Sequence, residues 1–122
     1  MTLETWGGEP VMIVPAEGPP VATDQDALTL IGDALGVGAG MVALPTGRLH
    51  PDFMVLSTRM AGEVIQKFTN YRIRLAIVGD ITPAMAASNA LTAFVNESNR
   101  GQGVWFVESL EALKTRLETQ VA

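Results

Sequence analysis

Leu75-Ala76-Ile77-Val78-Gly79-Asp80-Ile81-Thr82-Pro83 is the stretch that decides how this chain folds. Four consecutive apolar residues with no polar alternation describe a strand covered on both faces, as a central parallel strand is. Gly79-Asp80 breaks the run. Thr82 then offers an N-cap, and Pro83 occupies the first helical position, where its missing N–H costs nothing. A strand that turns tightly into a helix is half of a βαβ unit, so the sequence on either side should repeat the pattern.

It does. Upstream, Val11-Met12-Ile13-Val14 is a short apolar run stopped by Pro15, and Met41-Val42-Ala43-Leu44 is a second. Between them Thr23 and Asp26 have the spacing of a capping box, with Asp in place of the usual Glu or Gln. Leu28, Ile31 and Leu35 then recur at helical spacing until Gly36, Gly38 and Gly40 end the helix. Val21 and Ala22 are read as a brief extra strand before it. After the Met41 strand, Ser57 or Thr58 can cap a second helix whose apolar face is Ala61, Val64, Ile65 and Phe68. Arg59, Glu63 and Lys67 form i,i+4 pairs on its outer side. Downstream of Pro83, Ala87, Ala90, Leu91, Phe94 and Val95 line one continuous third helix, stopped by Asn96 to Gly101. Val104-Trp105-Phe106-Val107 is the last strand, and Ser109 caps a final helix with Leu110, Leu113 and Leu117 inward. Met1 to Glu9, polar and glycine-bearing, are expected to be a flexible end. The sum is an α/β fold: one domain over residues 1–122, with a four- to five-stranded, mostly parallel sheet flanked by about four helices.

Composition narrows the functional classes. The chain has 122 residues, 48% of them apolar, enough for a packed core. Its net charge of −5 argues against nucleic acid or an anionic membrane as the partner. Every charge before Arg48 is acidic, a sum of −6, whereas the remainder carries 8 bases against 7 acids. A solvated acidic face accounts for this; an acidic patch meeting a basic partner is the sharper alternative. There is no Cys and one His, His50, which excludes thiolate and multi-histidine metal sites within one chain. No apolar run reaches membrane-spanning length, and the N-terminus lacks the basic start of a signal peptide, so a cytoplasmic protein is expected.

In open α/β sheets, ligands bind beyond the carboxyl ends of the strands, where the strand-to-helix loops gather. The first such loop, Pro45 to Leu56, is long for its kind. With the start of the next helix it brings Arg48, His50, Asp52, Ser57, Thr58 and Arg59 to this rim, and the turn after Val78 adds Asp80 and Thr82. His50, held extended by Pro51, is either a ring bonded to a backbone carbonyl or a general base that Asp52 orients, while Asp52 equally suits capping the turn. Ser57 and Thr58 are ordinary helix caps. Alternatively, they mark a helix N-terminus that receives phosphate, with Arg48 and Arg59 adding charge-assisted bonds. Asp80 either caps its own turn or, with Asp52, makes a poor Mg²⁺ site. No glycine-rich phosphate loop and no nucleophile elbow occurs. Neither a cofactor nor a metal is expected.

Leu44-Pro45 with Arg48-Leu49-His50-Pro51-Asp52-Phe53, then Ala61 to Phe68, Asn70 to Asp80, and Phe94 to Phe106 resemble a bacterial family known as domain of unknown function 4180. More distantly, the chain is similar to STAS (anti-sigma-factor antagonist) domains, in which a strand leads to a helix that begins with a phosphorylatable Ser or Thr. That likeness would make Ser57 or Thr58 a switch residue. This loop is longer than theirs and has no Gly after the serine. The likeness implies a non-enzymatic regulatory module with a protein partner, or a homodimer. The alternative is a small enzyme or metabolite binder that takes an anionic ligand in the cleft formed by the same rim.

Overall fold

The computed structural model describes residues 1–120. A five-stranded sheet runs in chain order: β1 (Thr2–Trp6), β2 (Glu9–Ile13), β3 (Met41–Pro45), β4 (Arg74–Val78) and β5 (Val104–Val107). β1 is antiparallel to β2, and the other three pairings are parallel. The helices are α1 (Asp24–Val37), α2 (Met60–Asn70), α3 (Thr82–Ala86), α4 (Asn89–Arg100) and α5 (Leu110–Gln120). No helix among the described residues is long and apolar enough to cross a membrane.

Strand periodicity of two sorts the core into two layers. Met12, Val42, Leu44, Leu75, Ile77 and Phe106 point to one face and pack against residues of α1, α2 and α4, including Ile31, Val64, Phe68 and Leu91. Each parallel crossover steps to the next strand in the same direction, so a common hand puts these helices on one side. Val11, Met41, Ala43, Ala76 and Trp105 point to the other face and pack against Leu113 and Leu117 of α5. Trp105 is fully buried. The guanidinium carbons of Arg74 and Arg116 stack on its ring, at 4.4 and 3.7 Å from the centroid. Burial, and then the neighbouring Arg74 charge, lower the pKa of Arg116.

Several expectations are corrected. Residues Met1 to Glu9 are not a loose end. Gly7 and Gly8 both take positive φ, 58° and 81°, the geometry of a two-residue hairpin turn, and Thr2–Trp6 pairs with Glu9–Ile13. Val21 makes only an isolated parallel bridge to Leu49. The helix expected to be continuous after Pro83 is two helices. Its break falls at Ser88, whose hydroxyl accepts from Leu91 N at 3.0 Å and so starts α4 afresh. Thr82 lies inside α3, with Ile81 at the cap. α4 continues through Asn96 to Arg100 rather than stopping there. The capping box of α1 forms as read: Thr23 Oγ1 accepts from Asp26 N, and Asp26 Oδ2 accepts from Thr23 N. Ser109 Oγ likewise accepts from Ala112 N at 3.0 Å in the first turn of α5.

Candidate functional site

Parallel pairing of Leu44 with Ile77 and of Pro45 with Val78 ends β3 and β4 side by side, so their following turns meet at one rim. The first turn is three successive 3-10 helices, Thr46–Arg48, Pro51–Met54 and Leu56–Thr58. Phe53, fully buried, pins this segment into the main core. The second turn passes through Gly79, at φ 149°, whose Cα faces the Thr46 side chain. A β-carbon there would collide with Thr46 Oγ1 and lie 2.8 Å from Cγ2. Gly79 is therefore what allows the two turns to touch.

Arg48 does not join the rim; it lines a small cleft of about 150 Å³ beside α1, with Pro19, Val21 and Asp26. Its Nε donates to Pro19 O at 2.9 Å, and one terminal nitrogen donates to Pro15 O at 3.0 Å and Glu17 O at 3.2 Å. It clamps the Pro15–Pro19 loop, and Gly18 sits against the guanidinium. His50 caps the second 3-10 helix: Nδ1 accepts from Asp52 N at 3.0 Å. The neutral ring then carries its proton on Nε2 and is a donor there. Asp52 Oδ2 lies 4.0 Å from the same Nδ1, too far to hydrogen-bond it. Backbone does engage the histidine, but through an amide N–H rather than a carbonyl.

Neither Ser57 nor Thr58 caps α2. The cap is Arg59, in the left-handed region at φ 65°, with no side-chain cap bond. Thr58 Oγ1 lies 2.7 Å from Val55 O and 3.0 Å from Asp52 O, and accepts from Met60 N at 3.3 Å. Its hydroxyl is spent on folding the turn. Ser57 is exposed. Arg59 belongs to a separate surface cleft with Asp24, Glu63 and Lys67, between α1 and α2. Asp80 Oδ1 accepts from Thr82 N at 2.9 Å, and bonds from the Thr82 side chain and backbone hold the carboxyl below its ordinary pKa.

The structure does bring His50 and Asp80 together. Both line a cleft of about 250 Å³ with Thr46, Leu49, Ile81 and Pro83. Pro51, Met54 and Ala84 continue from it into a second, more apolar groove of about 500 Å³, where Val55, Leu56, Ser57, Ala87 and Ser88 form the walls. Asp52, Thr58, Arg59, Arg48 and Thr82 line neither. The groove itself was not legible in the sequence: Ala87 reads there as part of the buried side of one helix, whereas in the structure it is exposed on the groove wall, just before the break at Ser88.

A family model described as domain of unknown function (DUF4180) matches residues 6–117. This chain belongs to the DUF4180 family. The match takes in β2 to β5 and α1 to α4 whole, with both rim turns and the groove, so these features lie within the family's shared region. No curated protein and no solved structure matches the chain.

Proposed function

We propose that this DUF4180 protein is a non-enzymatic regulatory module of STAS-like kind that works in the cytoplasm and receives a segment of a partner protein at the carboxyl rim of its sheet. The observation that carries this is the continuous groove from His50 and Asp80, past Met54 and Ala84, to Ser57 and Ala87. It has one polar end and a longer apolar stretch floored by a methionine, a residue that adapts to varied contacts. Such a shape suits an extended or helical segment better than a small substrate. Ser57 is the exposed hydroxyl on its wall, whereas Thr58 is tied into its turn. Of the two, Ser57 is therefore the residue at which an added phosphate would change what the groove accepts.

Affinity capture from the native host tests this, using wild type, Ala87→Arg in the groove, and Lys114→Glu on α5 as a control. A host protein retained by wild type and the control but lost with Ala87→Arg supports the proposal. No protein with that dependence defeats it. Intact mass of the protein purified from its host, with and without Ser57→Ala, reports the phosphate.

A second reading has its own support. The Nε2 donor of His50 and the Asp80 carboxylate share one cleft, the polar pair a metabolite or anion binder would use. Asp80, held ionised by Thr82, is an acceptor and a weak base. Thermal shifts with phosphate and nucleotides that His50→Ala abolishes would favour this reading over the first.

A further inference from the structure

The two outer edges of the sheet are treated differently. On β5, Gly103 and Val107 turn their carbonyls toward β4, accepting from Leu75 N and Gly79 N at 2.9 Å each. By alternation, the peptide groups of Val104 and Phe106 face outward. That edge is blocked at its middle by α4: Phe106 N donates to Asn99 Oδ1 at 2.7 Å.

At β1 the alternation can be followed in the same way. Pro10 O accepts from Gly40 N, and Val14 N donates to Ala43 O, so even-numbered residues of β2 face β3. Glu9, Val11 and Ile13 then face β1, where their partners are Trp6, Glu4 and Thr2. Leu3 and Thr5 are left with N–H and C=O directed away from the sheet, and both residues are exposed. The strand has no Lys, Pro or bulge, the usual devices that discourage edge pairing. Beside it, Met1, Leu3 and Val37, at 65%, 45% and 50% exposure, border an apolar groove of about 340 Å³ over Met12 and the Gly32 and Gly36 backbone of α1.

We infer that β1 is the contact strand of a homodimer: its outer edge pairs antiparallel with β1 of a second copy about a two-fold axis at Leu3. The register follows by elimination. Outward groups must meet outward groups, so the axis passes through a residue of β1; at Thr2 it pairs only residues Met1 to Leu3, which leaves Leu3, Glu4 or Thr5. An axis at Glu4 sets two carboxylates opposite each other, which is unfavourable. An axis at Thr5 puts Leu3 opposite Gly7, in the turn. An axis at Leu3 pairs leucine with leucine, Thr2 with Glu4 and Met1 with Thr5, and extends the apolar groove across the axis. Five paired residues make a ladder of about 17 Å. An interface of that extent belongs to the small class, below about 1,200 Å² in total, so the dimer is weak and depends on concentration.

Sedimentation velocity from about 1 µM to about 1 mM tests the association. Wild type shifts from monomer to dimer within that range. Leu3→Pro removes an outward N–H without taking a bond from β2, a position where an edge strand tolerates proline, so it stays folded by circular dichroism and stays monomeric. Where Leu3→Pro does not fold, cysteines decide. The wild-type chain has none. Leu3→Cys places two Cα atoms about 5.5 Å apart, within disulfide reach, and mild oxidation yields a covalent dimer. Glu4→Cys, whose copies are offset along the ladder, yields little. A wild type that is monomeric throughout, a dimer that folded Leu3→Pro leaves intact, or equal cross-linking by the two cysteine variants overturns the inference.

Discussion

Gly79→Ala is the substitution that most directly tests how the two rim turns are held together. At φ 149° an L-residue is in territory that is essentially glycine's, at a cost of about 1–3 kcal/mol. The new methyl also enters the space of Thr46, whose Oγ1 and Cγ2 it would overlap, while Thr46 Cβ is 3.1 Å away. Overpacking of this kind costs about 1–3 kcal/mol. The backbone cannot swing aside freely, because Gly79 N donates to Val107 O at 2.9 Å and continues the sheet. The expected loss is therefore at least about 2 kcal/mol, a large share of the stability typical of a domain this size. The two contributions separate in a double-mutant cycle. Thr46→Ala alone should be nearly silent, within about 0.5 kcal/mol. In the Gly79→Ala background it should recover about 1 kcal/mol or more of the steric part and none of the backbone part. Urea unfolding at constant m-value measures all four corners. A Gly79→Ala loss below about 0.5 kcal/mol, or no recovery from Thr46→Ala, would refute the proposed contact between the turns.

Three further outcomes follow from contacts already described. Phe53→Ala should cost about 3–5 kcal/mol in urea unfolding, because the ring is fully buried and anchors the segment between β3 and α2. Arg48→Lys keeps the charge but cannot reach three carbonyls from one fork, so limited proteolysis should cut faster between Pro15 and Pro20 while the rest of the domain stays protected. Asp26→Asn weakens the α1 capping box, by about 1 kcal/mol at neutral pH. Bonds from Ala22 N and then from Thr23 lower the Asp26 pKa on folding, so this stabilisation is complete above the unfolded carboxylate value. It is lost as pH falls through the lowered folded value. Wild type and Asp26→Asn should therefore differ most near neutrality and converge in acid.

Parallel architecture was legible because it rests on strong, local signals. Runs such as Met41–Leu44 and Leu75–Val78 have no polar face, and only a strand sandwiched between layers tolerates that. The hairpin at the start was missed because Thr2, Glu4 and Thr5 are polar and exposed. Its signal lay in the turn instead: a Gly-Gly pair, one of the few pairs that suit two successive positive φ values. The break between α3 and α4 was missed for a related reason. Ala84, Ala87, Ala90 and Leu91 keep a helical spacing across it, and periodicity does not register a serine that caps from within.

Site residues were placed better than their roles were. Topology alone delivered His50 and Asp80 to one rim, since two adjacent parallel strands must end together. What each polar group does there depends on which backbone groups the intervening turns leave unpaired, and spacing cannot reveal that. Three consecutive 3-10 helices between β3 and α2 end often, and every end exposes amides and carbonyls that need partners. Asp52 N takes the imidazole, Val55 O and Asp52 O take the Thr58 hydroxyl, and the carbonyls of the Pro15–Pro19 loop take Arg48. A long irregular connection thus consumes most of the polar side chains that made it look like a site. The surface it leaves is the apolar wall of Met54, Val55 and Leu56 facing Ala84 and Ala87, with Ser57 exposed at its margin. An apolar wall of this kind is the surface that the proposed recognition of a partner segment would use.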